Sequence, residues 1–462
     1  MSIKQRLDSF QSMKNFGEDS CAKQRIYKIV DPDSFVEINS MTKSQDDYTG
    51  VITGIGKIGN RKVCLFSQDN KINGGAFTTA QVNKILNIYT IAQTTGVPVV
   101  GIYDCKGASL DDANLLLKGL SDLLAFSNKL SGVVPQISLI LGPCLGINAL
   151  LAANADFVIA AKNSNFSINT GDSDSDIFSA AKEGSVSVLS KDEDEAIASL
   201  KNLFDFLPSN NLDKSPLFNA LEPQVNEFDS ISDKLYNLDP NVDYNLFLKS
   251  FADNNGFITL QDDFGKTAII AFARLNGVCV GTVIFKGEEL CSHTCSKVAR
   301  FIRFCDAFSI PVVTFANSKE FTSLANAAKL TNAYCDATTA KLSVIIGKAF
   351  GSVFAATSMQ QASSDITLAW VSSSVSAMNP TAAAIFYNSE KLKNSDNPID
   401  DRKKLIKDYI QNSATPFDMA SLGLIQNVIL PSQTRSEISK LLEVLESKRI
   451  QKLPKKHSNI NL

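Results

Sequence analysis

Histidine is nearly absent from this chain: His293 and His457 are the only two in 462 residues. That excludes a histidine-rich metal centre and disfavours any mechanism built on a histidine base. Cysteine never occurs as Cys-x-x-Cys, and the nine cysteines are scattered singly, several of them inside apolar runs (Cys64, Cys279, Cys305). A disulfide framework is therefore not expected, and reduced thiols in cytosol are. Long apolar runs are missing too: "VVPQISLILG" and "QASSDITLAW" fall well short of a bilayer span. The start, "MSIKQRLDSFQSMKNFGEDS", carries no secretory pattern. Neither charge sign is in excess: 45 basic against 48 acidic residues leave a net charge of -3. Nothing global draws the chain to nucleic acid or an anionic membrane. The dinucleotide fingerprint is also lacking, since "GIGKIG" (Gly54–Gly59) spans a hairpin, and no Gly-x-x-x-x-Gly-Lys-Ser/Thr phosphate loop occurs.

What is present suits layered α/β architecture. Apolar residues make up 44% of a chain too long for one ordinary core, so at least two domains are expected. "VITGIGKI", the turn Gly59–Asn60 and "KVCLFSQD" predict a hairpin. "TTAQVNKILNIYTIAQTTG" places Val82, Ile85, Leu86, Ile88 and Tyr89 at helical spacing and stops at Gly96. The buried strand "VPVVGIYD", a helix over "LDDANLLLKGLSDLLAFSNKLSG" and the strand "VVPQISLILG" follow. Acidic and polar segments such as "GDSDSD" and "LPSNNLDKSP" then point to a linker within 205–240.

The second half repeats the first. "GKIGNRKVCLF" returns as "ARLNGVCVGTVIF". "VNKILNIYTIAQTTGVPVVGIYD" returns as "SKVARFIRFCDAFSIPVVTFANS", with Pro98 facing Pro311. "ISLILGPCLGINALLAANADFVIAAKNSNFSI" returns as "LSVIIGKAFGSVFAATSMQQASSDITLAWVSSSVSA". Blocks recurring in the same order signal an internal duplication, with domains expected over 1–235 and 236–462. In each copy a strand is read to end at a glycine, Gly142 or Gly347, and to turn into a helix of small residues at Gly146–Ile147 or Gly351–Ser352–Val353. Free amides at such an elbow can receive a developing oxyanion. The same spacing also suits a tight strand–helix turn in a packed core.

These blocks resemble the carboxyltransferase subunits of biotin-dependent enzymes, which include propionyl-CoA carboxylase beta subunits and the alpha subunits of methylmalonyl-CoA and glutaconyl-CoA decarboxylases. The resemblance is carried by "AKQRIYKIVDPDSFVEI", "GGAFTTAQVNKI", "PQISLILGPCLG", "KVARFIRFCDAFSIPVV" and "NSATPFDMASLGLIQNVILP". It implies two tandem crotonase-like domains of ββα spiral units, the first on the acyl-CoA side and the second on the biotin side. It implies carboxyl transfer between carboxybiotin and the alpha carbon of an acyl-CoA. Gly146 and Ile147 would hold the thioester oxygen; Ser352 and Val353 would hold the ureido oxygen, with Gly351 beside them. Gly107 and Ala108 would line the cofactor path, and Lys84 would approach the CoA phosphates. No Lys stands between two Met residues, so biotin would arrive on a separate biotin carboxyl carrier protein. A biotin carboxylase or a membrane decarboxylase subunit would complete a cytoplasmic dimer or hexamer (trimer of dimers), held at the inner membrane face in the decarboxylase case. No nucleic acid and no metal are implied.

The sequence departs from that family in loops. The first elbow has Leu145 and Ile147 where members have Ala and Gly; the second has Ser352 and Val353 for Gly and Ala. The loop Asp104–Ser109 has Lys106 but no arginine. Lys319–Thr322 replaces a Gly- and His-rich segment, and Thr381–Ala383 replaces an acidic residue and glycine. Two other readings follow: a catalytically impaired structural paralogue within such a complex, or a hydrolase or hydratase using Glu320. Among further residues, Cys144 is expected as a packed thiol and Trp370 as core. Asp156 and Asp365 are expected to close turns. Arg300 and Arg303 are expected to serve an interface, the biotin side or solvent. The basic tail "LEVLESKRIQKLPKKHSN" is expected against a partner, an acidic surface or water. A metal site at Cys291, His293 and Cys295 lacks a fourth ligand.

Overall fold

The computed structural model describes residues 2–16, 20–44, 47–72, 75–109, 113–169, 176–239, 241–254 and 256–459. Most of the "GDSDSD" segment lies outside them. The chain divides into two compact units, Met1–Pro216 and Leu217–Leu462. No helix or strand occurs from Leu207 to Glu227. The division falls before the 235/236 boundary expected from sequence, because the helix Phe228–Tyr236 buries Phe228 and Ile231 in the second core.

Each unit begins with an antiparallel hairpin and continues in parallel. In the first, Val51–Ile58 pairs with Arg61–Gln68. Gly59 and Asn60 both take positive φ, the conformation a two-residue hairpin turn needs. The Asp31 carboxylate receives their amides at 3.0 and 2.8 Å. In the second, Ala268–Leu275 pairs with Val278–Phe285 through Asn276–Gly277. Asp253 receives those two amides at 2.9 and 2.8 Å. The duplication extends to the side chain that fastens the turn.

The remaining strands add in parallel through helical crossovers. Among the described residues, each unit holds a sheet of eight strands, seven in one row and the eighth, Asn165–Ser167 or Ser374–Ser376, paired beside the end of Gln136–Leu145 or Lys341–Phe350. The first runs Val36–Ile38, Val51–Ile58, Arg61–Gln68, Val99–Cys105, Gln136–Leu145, Phe157–Ala161, Val188–Ser190. The second runs Phe257–Leu260, Ala268–Leu275, Val278–Phe285, Val312–Ser318, Lys341–Phe350, Ile366–Trp370, Asn427–Ile429. The parallel strands are apolar on both faces because helices cover both: all of Val99–Cys105 is buried. Helix Thr79–Thr95 starts where the Thr78 side chain accepts the Gln81 amide and ends at Gly96, φ 64°. Trp370 is fully buried with Phe228 and Phe247, and its indole N–H donates to Thr434 Oγ1 at 2.8 Å. The nine cysteines are all unpaired.

The basic tail folds back on its own unit. Lys448 pairs with Asp365 at 2.7 Å, Lys452 with Asp306 at 3.2 Å and Lys455 with Asp336 at 2.6 Å. These acids belong to the same unit, and residues 451–457 are otherwise exposed.

Candidate functional site: two glycine elbows

The first elbow lies four residues beyond the strand end read from sequence. Gln136–Leu145 continues as a strand through Gly142, Pro143 and Cys144, because Asn165–Ser167 pairs with Pro143–Leu145. The turn is made at Gly146 alone, with φ 64° and ψ -136°, a combination essentially restricted to glycine. Helix Ile147–Ala153 follows. The Gly146 amide donates to Ser167 O at 2.9 Å, so it serves the sheet. The amides left by the helix start are those of Ile147 and Asn148.

Gly142 has a different task. A Cβ there would lie 2.1 Å from Asp104 Oδ1. Asp104 is 2% exposed; its carboxylate receives Arg25 Nη1 at 2.6 Å and Asn70 Nδ2 at 2.7 Å. Arg25 also reaches Glu193 at 3.0 Å. Asp104 opens the loop expected to follow the cofactor. Within that loop Gly107–Ala108 pairs with Ala76–Phe77, and Gly107 takes φ 132° with no described residue within 4 Å of a Cβ position. Its backbone is open to an approaching molecule.

The second elbow repeats this frame. Lys341–Phe350 is extended by pairing with Ser374–Ser376, Gly351 turns at φ 48°, and helix Gly351–Thr357 begins. Gly347 admits Asn317, whose Oδ1 would lie 2.3 Å from a Cβ. Asn317 accepts the Lys348 amide at 3.0 Å and donates to Tyr244 Oη at 3.1 Å. Strand register equates Cys105–Cys144 with Ser318–Ala349. Gly146 therefore corresponds to Gly351, Ile147 to Ser352 and Asn148 to Val353. The pairs expected from sequence, Gly146–Ile147 and Ser352–Val353, thus differ by one position between the units, and Asn148 is the residue that completes the correspondence. That residue stands on the helix as the partner of Val353, a correspondence visible once Gly146 is aligned with Gly351.

Lys84 is 1% exposed and does not reach the surface. Its ammonium donates to Val51 O at 2.6 Å, and burial pushes its pKa down to about 8. Lys297 does the same in the second unit, donating to Ala268 O at 3.0 Å as well as to Gln261 O and Phe264 O. Each lysine caps the carbonyl at the start of a hairpin strand. A contact between Lys84 and CoA phosphates does not fit this placement.

Three charged side chains gather at the second elbow. Glu288 Oε1 accepts from Lys348 Nζ at 2.7 Å, and Oε2 meets the Lys319 ammonium. Glu288 is held below the usual carboxylate range: its partial burial opposes this, and the two lysines outweigh it. Lys319 stands in the loop that departs most from the family. There Glu320–Phe321 pairs with Glu289–Leu290, and helix Leu324–Asp336 starts at once, capped by Ser323. Glu320 is exposed on that short strand.

The remaining expectations are structural. Cys144 is fully buried, and burial raises its pKa far above the usual thiol value. Asp156 accepts the Gln136 amide and Asp365 the Lys341 amide, each at 2.8 Å, closing equivalent turns. Arg303 donates to Asn332 at 2.9 Å. His293 packs on the Phe264 ring at 5.0 Å. Among the described residues no group of three or more His, Cys, Asp or Glu gathers that could hold a metal ion, and no helix is long and apolar enough to cross a membrane.

A family model described as "Carboxyl transferase domain" matches residues 17–173 and 178–460. The methylmalonyl-CoA decarboxylase subunit alpha of Veillonella parvula is 32% identical over 483 aligned positions, covering 96% of this chain and 93% of that one. The human mitochondrial propionyl-CoA carboxylase beta chain is 31% identical over 491 positions, covering 96% and 88%. The transcarboxylase 12S hexamer, solved with methylmalonyl-CoA and methylmalonic acid bound, matches with a TM-score of 0.92 at 26% identity, over 100% of this chain and 99% of that one. The two sheet units thus have the tandem crotonase-like fold of that structure.

Proposed function

We infer the roles of the two elbows from one premise: this chain belongs to the biotin-dependent carboxyltransferase family, of the acyl-CoA carboxylase beta and methylmalonyl-CoA decarboxylase alpha type, which transfers carboxyl between carboxybiotin and the alpha carbon of an acyl-CoA. The first elbow takes the thioester oxygen as charge develops on it, through the amides of Ile147 and Asn148. The second takes the ureido oxygen through those of Ser352 and Val353. Gly146 and Gly351 set the direction of each helix start. The open backbone of Gly107–Ala108 lies along the CoA path. The first unit thus receives the thioester and the second receives biotin.

Biotin, when bound at the second elbow by the amides of Ser352 and Val353, would supply the base for the alpha proton. The chain itself needs only preorganised donors about 2.7–3.1 Å from the forming oxyanion; loss of one such donor costs about 3 kcal/mol of transition-state stabilisation. The scarcity of histidine and the burial of Cys144 agree with that demand. The observation that carries this reading is the recurrence of one strand–glycine–helix elbow in both units of a chain matched along almost all its length.

The acyl group we assign is the propionyl/methylmalonyl pair, on the likeness to a methylmalonyl-CoA decarboxylase subunit and a propionyl-CoA carboxylase chain. Biotin comes on a separate carrier protein, with a biotin carboxylase or a membrane decarboxylase subunit as further partner. The assembly is a cytoplasmic hexamer like the transcarboxylase core. The test is transfer of labelled carboxyl from methylmalonyl-CoA, malonyl-CoA and glutaconyl-CoA to free biotin by the purified chain. Methylmalonyl-CoA is expected to lead. No transfer and no binding of any CoA ester would instead support an impaired paralogue, for which Ile147 in place of the family's glycine is the supporting feature.

A further inference from the structure

Two of the three charged residues at the second elbow have no charged counterpart in the first. By strand register Lys348 stands where the first unit has Pro143, and Glu288 where it has Gly75. Lys319 corresponds to Lys106; each donates its amide across the equivalent loop, to Glu288 O at 2.8 Å and to Gly75 O at 3.1 Å. The added groups therefore sit on a backbone frame common to both units.

Their exposure differs. Lys348 is the one residue of Lys341–Phe350 that is not buried, and its side chain is only 18% exposed. Its amide is fixed by Asn317. A partly desolvated ammonium on a rigid strand, three residues before the elbow glycine, requires a carboxylate beside it. Glu288 supplies that carboxylate from a side chain 60% exposed. Its own carbonyl already accepts Lys319 N and, at 3.1 Å, Ser318 Oγ. The backbone link is thus held whether or not the carboxylate stays. The more buried cation lies against the more exposed carboxylate.

We propose that Lys348 and Lys319 form a carboxylate-binding pair beside the second elbow, that Glu288 fills it in the absence of substrate, and that the carboxyl group in transit takes its place. This rests on the carboxyltransferase reading. The ligand is a carboxylate borne either by the acyl-CoA or by the biotin nitrogen. The lysines make and break no bond; one ion pair replaces another, and Glu288 turns to solvent. An acceptor without a carboxylate has nothing with which to displace Glu288. The pair therefore separates carboxylated from uncarboxylated partners.

The full chain and its K348M, K319M and E288Q variants test this in two ways. Amine acylation followed by mass spectrometry reads the accessibility of Lys348 and Lys319 with malonyl-CoA against acetyl-CoA, and with N-carboxybiotin against biotin. Carboxyl transfer from malonyl-CoA to free biotin reads function. Protection several-fold stronger with the carboxylated member of a pair is expected, and the pair in which it appears identifies the carboxylate's source. K348M is expected to lower kcat/KM for transfer about tenfold or more, as loss of a charge-assisted contact does. E288Q is expected to strengthen protection, because the internal competitor is gone. Equal protection within both pairs overturns the proposal, as does an E288Q variant that weakens protection. Transfer without differential protection rejects the lysine pair alone and leaves the carboxyltransferase reading standing. If no transfer occurs, the acylation pattern still decides.

Discussion

The two units share a backbone and differ in charge. Both have the Asp-fastened hairpin turn, the buried lysine under the hairpin strand, the glycine that admits a polar side chain and the glycine that turns the elbow. In the first unit the admitted side chain is Asp104, neutralised from outside its strand by Arg25. In the second it is the uncharged Asn317, and the charge has moved to Lys348, Lys319 and Glu288. Duplication has conserved the parts that direct the chain. The ionic groups beside each elbow have changed.

The sharpest way to break this comparison is to remove Arg25. R25M leaves Asp104 buried without its ion-pair partner, a loss of about 3–5 kcal/mol. N317A in the second unit removes neutral hydrogen bonds and is expected to cost about 1–2 kcal/mol. Hydrogen exchange resolved by unit measures both, since a chain of two units need not unfold in one step.

The next contrast is steric. G142A forces a methyl against Asp104, which Arg25 and Asn70 hold in place, so a loss of about 1–3 kcal/mol is expected in the first unit. G347A is expected to cost less, because Asn317 carries no buried charge to protect. Equal denaturation midpoints for the two variants would show that the clamps are equally stiff.

A third test uses pH. Burial lowers the pKa of both Lys84 and Lys297 to about 8, from an ordinary 10.5. Between those values the unfolded chain binds more protons than the folded one, so stability rises as pH increases through that window. K84M is expected to flatten the rise in urea midpoint for the first unit only, and K297M for the second only. The smallest effect is expected at the tail: K452A breaks a pair with Asp306 in which the lysine side chain is about half exposed, and should change stability by less than about 1 kcal/mol, and less still at high salt.

Much of the frame was legible in the sequence because it is local. Gly59–Asn60 and Gly96 act through their own dihedrals, and the duplication shows as repeated apolar runs. What was misread depends on distant chain. Gly142 looks like a strand end until Asn165–Ser167 extends the ladder past it. Lys84 reads as a surface lysine of a helix; the strand carbonyl that claims it lies 33 residues away. Glu288 and Lys348 are 60 residues apart, and no spacing announces their pairing. Asp104 did leave a trace, as an acid closing the apolar run "VPVVGIYD".

The edge strand Asn427–Ile429 has a consequence for synthesis. The first unit is one continuous stretch of chain with its own core, so it can fold while the ribosome is still translating the second. The second sheet is completed only when residues 427–429 emerge and pair with Leu368–Trp370, 59 residues upstream in register. A ribosome stalled between the two leaves a bare strand edge in an otherwise apolar sheet, the surface on which nascent chains aggregate. Shielding by a chaperone is needed most over that interval.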